Sequence, residues 1–189
     1  AIKNSDCLNV RNGILVRILE RTEEDIGKTQ LKIMSELLKK YTNEEESNFQ
    51  ENDIAVIVTD FDVHKDNEKF IAEINSIEAE GIQIYGTSPC IELWLILHLK
   101  DSLEAHIIPN EQNFYLNEKV SKHHTFASKK ASELLGYNPK RQIDPNLVKD
   151  IDIAIDQAKN LEDDIKRLNK VIGTNLQNLF NLILADERF

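Results

Sequence analysis

The feature that most constrains this chain is the run Ile54-Ala55-Val56-Ile57-Val58, which leads into Thr59-Asp60-Phe61-Asp62. Five successive apolar residues, four of them β-branched, suit a pleated strand. The lack of apolar/polar alternation means that both faces of that strand are covered. A strand buried on two sides needs helices above and below its sheet, so the chain is predicted to be a layered α/β protein. With 189 residues, 41% of them hydrophobic and 30% charged, it has the material for one domain with a sizeable core.

The flanking segments fit that layout. Ile14, Leu15, Val16, Ile18 and Leu19 read as a buried strand after Gly13, and Leu31, Met34, Leu37 and Leu38 mark an amphipathic helix between Lys28 and Tyr41. Thr42 to Asp53 is a polar loop. Phe70, Ile71, Ile74 and Ile77 define a helix that Gly81 closes, and Ile82, Ile84 and Tyr85 supply a further strand. Ser88 is expected to cap a helix whose first position is Pro89 and whose body, Ile91 to Leu99, is nearly buried. Strand and helix alternate in the manner of parallel strands joined by crossovers.

Beyond Leu99 the pattern changes. Pro109 to Asn117 reads as a loop, 126–135 as a short helix, and Tyr137-Asn138-Pro139 as a turn. A long helix follows Pro145, carried by Leu147, Ile151, Ala154, Ile155, Ala158 and Leu161; after an interruption at Gly173, Leu176 to Leu184 forms the last one. The expected division is an α/β core over 1–100 and a mainly helical part over 101–189, packed on that core.

Thirty-three acidic against 23 basic residues give a formal charge of -10, which argues against a protein coated for general nucleic-acid adhesion. Between Asn117 and Arg141, however, six basic residues (Lys119, Lys122, Lys129, Lys130, Lys140 and Arg141) face two acidic ones, Glu118 and Glu133. That is +4 locally and leaves -14 for the rest. The strip reads either as a solvated helix face or as a surface for phosphates. No window approaches 18 apolar residues, and no basic-then-apolar start reads as a secretory signal, so no membrane contact is expected. Cys7 and Cys90, in stretches of different character, point to a reduced, cytoplasmic protein.

Chemistry concentrates at two places. Asp60 and Asp62, at i and i+2, project to one side of a strand at its carboxyl end, where open parallel sheets place their ligand crevice. Paired carboxylates repel unless a cation lies between them, and hard oxygen ligands suit Mg²⁺ or Mn²⁺. The competing role is ordinary turn capping by Asp. The second place is Thr87-Ser88-Pro89-Cys90-Ile91-Glu92-Leu93-Trp94-Leu95, followed by His98. If the two strands are parallel, this loop opens on the same sheet edge as Asp60 and Asp62. Glu92 then either joins a metal site or complements the helix dipole. Trp94 and His98 share a helix face, where a lone His is first a hydrogen-bonded core residue; Cys90 reads as a small buried packer.

An apolar strand ending in Asp60-Phe61-Asp62, followed by Ser88-Pro89-Cys90-x-Glu92-x-Trp94-Leu95 and His98, resembles the RloB-like proteins, TOPRIM-related components of bacterial phage defence and abortive infection. The resemblance runs from about Ile14 through His98, and its specific part is the S-P-C-x-E-x-W-L stretch. It implies a TOPRIM-like Rossmannoid layer with a mostly parallel central sheet flanked by helices, plus the C-terminal helical extension. It further implies an Mg²⁺- or Mn²⁺-dependent nuclease acting on RNA or DNA, governed by a partner ABC/AAA-type ATPase. A homodimer is compatible with it. TOPRIM-type sites use a Glu that ends the first strand and an Asp pair that ends a later one. Asp60 and Asp62 match the pair. The Glu normally opens a Glu-Gly turn, and the nearest counterpart here is Glu20, with Arg21 in the Gly position.

The nuclease reading assigns metal to Asp60 and Asp62, catalytic roles to these with Glu20 and Glu92, and substrate contacts to Ser88, His98, Lys129, Lys130, Lys140 and Arg141. Two alternatives stand beside it. One is a non-catalytic TOPRIM-like module that docks on an ATPase. The other is a haloacid-dehalogenase-type phosphatase, whose opening D-x-D is shared but whose usual Thr or Val is His64 here and whose later Gly-Asp-x-x-x-Asp pattern is missing.

Overall fold

A computed structural model describes residues 29–43 and 53–185. The strand expected at Ile14 to Leu19, and Glu20 with it, lie outside the described residues. Helix α1 (Gln30–Asn43) precedes strand β1 (Val56–Asp60), helix α2 (Glu68–Glu78) and strand β2 (Gln83–Ser88). Helix α3 (Ile91–Leu97) then opens the second half, which continues through α4 (Glu111–Leu116), α5 (Phe126–Leu135) and α6 (Ile151–Ala158). Strand β3 (Gly173–Thr174) and helix α7 (Leu176–Ala185) complete it.

The described sheet has the order β1-β2-β3. β1 and β2 are parallel, with Ile57 opposite Ile84 and Asp60 opposite Thr87. β3 runs antiparallel to the end of β2, pairing Thr174 with Thr87 and Gly173 with Ser88. The sheet is therefore mixed, not mostly parallel. The cause is a tertiary contact that no local pattern encodes. Thr174 donates its hydroxyl to Gly86 O (3.0 Å), and the buried Asn175 side chain accepts from Gly86 N (2.7 Å) and donates to Ile84 O (3.2 Å). An amide side chain thus does for β2 what a neighbouring strand would do.

The same pairing corrects the start of α3. β2 remains strand through Ser88, the Ser88-Pro89 peptide is cis, and the helix begins at Ile91 with Cys90 at the N-cap. Ser88 is a buried strand residue and caps nothing. Two further expectations give way. The segment from Pro109, whose sequence predicts a loop, folds into a 3-10 turn and α4, and the long helix after Pro145 divides into a 3-10 turn (Pro145–Asp150) and α6.

Two apolar cores lie on either side of the sheet. Leu31 of α1, Ile57 and Phe61, Ile74 and Ile77 of α2, and Ile84 form one, joined by Ile165 and Leu168 from the C-terminal part. The other gathers α3 with α4 to α7, centred on Leu93, Trp94, Ile96 and Leu97, with Phe180 stacked on the Trp94 ring at 5.4 Å. The strand covered on both faces is β2. β1, expected from its apolar run to be a central strand, is an edge strand of the described sheet, with Ile57 buried but Ile54 and Val58 exposed, because among the described residues the cores cover only its Ile57 face.

Candidate functional site

Parallel pairing of β1 and β2 sends both strand ends to one edge. β1 ends at Asp60, Phe61 is fully buried beneath the turn, and Asp62, Val63 and His64 follow. Phe61 N donates to Thr87 O (3.1 Å) and Pro89 O (2.9 Å), which fixes the Asp60-Phe61-Asp62 corner against the end of β2. Gly86 makes this approach feasible, because a Cβ there would stand 2.6 Å from the Phe61 ring. Downstream, Asp66 takes a left-handed conformation and donates its N–H to Asn169 O (2.9 Å), while the Lys65 ammonium bonds Leu116 O and lies over the Tyr115 ring at 5.5 Å. The acidic turn is thus held from three directions.

Asp60 and Asp62 line one groove of about 300 Å³ together with Thr29, Val58, Thr59 and His64. Asp60 Oδ1 accepts the N–H of Ile91 at 2.9 Å, so the end of β1 caps the first turn of α3, whose own N-cap residue makes no such bond. Burial pushes the Asp60 carboxyl up to about 7, against the Ile91 hydrogen bond, and the neighbouring Glu92 and Asp62 carboxyls push the same way. Although the residue keeps solvent contact, its carboxyl behaves as one of a crowded acidic group. His64 stacks parallel on Phe70 with 3.6 Å between ring centres. Burial lowers its pKa, and its Nδ1 has no hydrogen-bond partner among the described residues.

Glu92 stands in the first turn of α3 and is 4% exposed. Its Oε1 is buried without a hydrogen bond, and Lys140 Nζ lies 3.5 Å away, an ion-pair separation. Burial first, then the nearby Glu92 carboxyl, raises the Cys90 thiol, which leaves it inert at neutral pH; Cys90 Sγ accepts from Asn117 Nδ2.

The edge therefore brings together Asp60, Asp62, Glu92 and, from the basic strip, Lys140. Ser88 and His98 do not join them. His98 is buried among the helices, its Nδ1 paired with Trp94 O at 3.0 Å and its ring edge-on to Trp94, the core role expected of a lone apolar-face His. Lys129 pairs with Glu133 along α5, Lys130 is half-buried on the same helix, and Arg141 is exposed beside Lys140. Among the described residues no group of three His, Cys, Asp or Glu side chains converges as a ready metal cage. Two features escaped sequence reasoning. One is the Lys140 contact with Glu92, made across 48 residues with no local signal. The other is His64 as a wall of the groove, a position the i to i+2 spacing after Asp62 indicates.

These features define a small α/β protein with helices on both faces of a mixed sheet and an acidic groove where its parallel strands end. The model of the family described as RloB-like protein matches residues 3–183, and the chain belongs to that family. No curated protein and no solved structure matches it. Among the described residues no helix is long and apolar enough to cross a membrane.

Proposed function

We propose that this chain is a divalent-metal-dependent nuclease with its active centre at the end of β1. The observation that carries the reading is the meeting of Asp60 and Asp62 in one strand-end groove, with Glu92 near enough to act on the Asp60 carboxyl, which is pushed up to about 7. Neighbouring carboxyls disfavour each other's ionised form, and a hard cation is a partner their chemistry suits. The buried Glu92 Oε1, which accepts no hydrogen bond among the described residues and faces the exposed Lys140 ammonium at 3.5 Å, supports the same fit. Asp60 and Asp62 would hold Mg²⁺ or Mn²⁺, with Glu92 as the third acid and Glu20, outside the described residues, as a further one. Bound there, the metal supplies phosphate polarisation and an activated water. The protein's own part is to fix the Asp60-Phe61-Asp62 corner and to keep the acids close.

The activity we propose is of the TOPRIM type, on RNA or DNA, in anti-phage defence beside an ABC/AAA-type ATPase in the cytoplasm. A second reading, a non-catalytic module docking on that ATPase, is favoured by one observation: Asp60 Oδ1 is already engaged by the Ile91 N–H. The deciding experiment is Mn²⁺-dependent cleavage of RNA and DNA with the partner ATPase present, comparing wild type with Asp60→Ala. Cleavage by wild type alone supports the nuclease. No cleavage by either protein while ATPase binding persists supports the docking module.

A further inference from the structure

Glu92 presents a physical problem that its surroundings only half solve. A carboxyl 4% exposed ordinarily accepts several hydrogen bonds, yet its buried Oε1 accepts none among the described residues. The positive charge facing that oxygen is Lys140 Nζ at 3.5 Å. The same ammonium also acts favourably on Asp60. Lys140 is not built into the core. Its side chain is 54% exposed, and it rises from the turn after α5, where Lys140 N donates to Asn138 Oδ1 (3.0 Å) and Arg141 N to Asn138 O (3.0 Å). The backbone is anchored while the four-carbon stem is free to swing, and an ammonium is a compact point charge with no fixed geometry of contact.

We propose that Lys140 is the site's resident counter-ion: in the absence of metal it occupies the cationic place on Glu92, and when metal enters it is displaced toward the substrate phosphate. The proposal rests on the metal-site reading above and adds an order of events to it. Lys140 and a divalent cation repel each other across a few ångström, so both cannot sit on the Asp60–Glu92 side at full strength. A displaced Lys140, with Arg141 beside it, is within reach of an anionic ligand arriving at the same edge. Lys140 would thus be a positioning residue that links metal entry to phosphate binding.

The test is an Mn²⁺ titration of the full chain without nucleic acid, followed by the electron paramagnetic resonance of free Mn²⁺. Lys140→Ala should bind Mn²⁺ about tenfold more tightly than wild type, the scale of one unit charge near a half-solvated site. Lys140→Arg should stay near the wild-type value. Thermal denaturation gives a second readout: loss of Lys140 leaves Glu92 unpaired, so Mn²⁺ should raise the Tm of Lys140→Ala more than that of wild type. Binding by wild type with an unchanged or weaker affinity in Lys140→Ala overturns the counter-ion role alone. No Mn²⁺ binding by either protein overturns the metal site as well.

Discussion

At the scale of single residues, Asp60 carries the account. The D-x-D spacing and the apolar strand before it were enough to single out Asp60 and Asp62. Asp60 does cap, but it caps α3 across the sheet edge and not its own turn, which depends on the register of β1 against β2 and could not be read locally. His98 was legible as a core residue from its apolar helix face, whereas its motif membership suggested substrate contact. The raised pKa of Asp60 has a stability consequence. The unfolded chain releases the Asp60 proton near the ordinary carboxyl value of 3.8, and the folded chain near 7, so folding loses stability as pH rises between those values. Asp60→Asn keeps the acceptor for Ile91 N–H and removes the titration. It should match wild type near pH 4 and exceed it at pH 8 by about 1–2 kcal/mol, a figure reduced for the solvent contact of the residue. Urea unfolding at the two pH values measures this; a wild type at least as stable as Asp60→Asn at pH 8 would show that the Asp60 charge is well accommodated.

At the scale of elements, helical periodicity found α1, α2, α5 and α7 within a few residues, because each has an apolar stripe facing one of the two cores. What it missed has a common cause. β3, the extension of β2 to Ser88 and the late start of α3 all depend on Thr174 and Asn175 meeting β2 from about 88 residues away. Gly173 looked like a helix interruption and is a strand residue whose Cβ would strike Glu162 O at 2.2 Å. Gly86 is the element-level test of the acidic corner. Gly86→Ala forces the Phe61 ring away from beneath Asp60 and Asp62, which should lower stability by about 2 kcal/mol, with metal binding falling in parallel. Denaturant unfolding and Mn²⁺ titration of the variant check both; unchanged values would mean that the corner does not depend on this close approach.

At the scale of the whole molecule, the C-terminal part supplies both cores. Ile165 and Leu168 enter the core of α1 and α2, whereas α7 packs with Trp94 of α3 in the other. Fluorescence of the sole tryptophan, Trp94, and far-UV circular dichroism should therefore report one coincident unfolding transition. Two separated midpoints would show that the halves unfold independently. The formal charge of -10 also takes on a spatial meaning, since three of the 33 acidic residues crowd one edge and one lysine of the basic strip reaches them. The most direct test of that edge as a nuclease centre is Mn²⁺-dependent cleavage of RNA and DNA at pH 8 with the partner ATPase, across wild type, Asp60→Ala and Asp62→Ala. Wild type should cleave, and each variant should fall by about a hundredfold or more; equal cleavage by all three proteins would contradict the account.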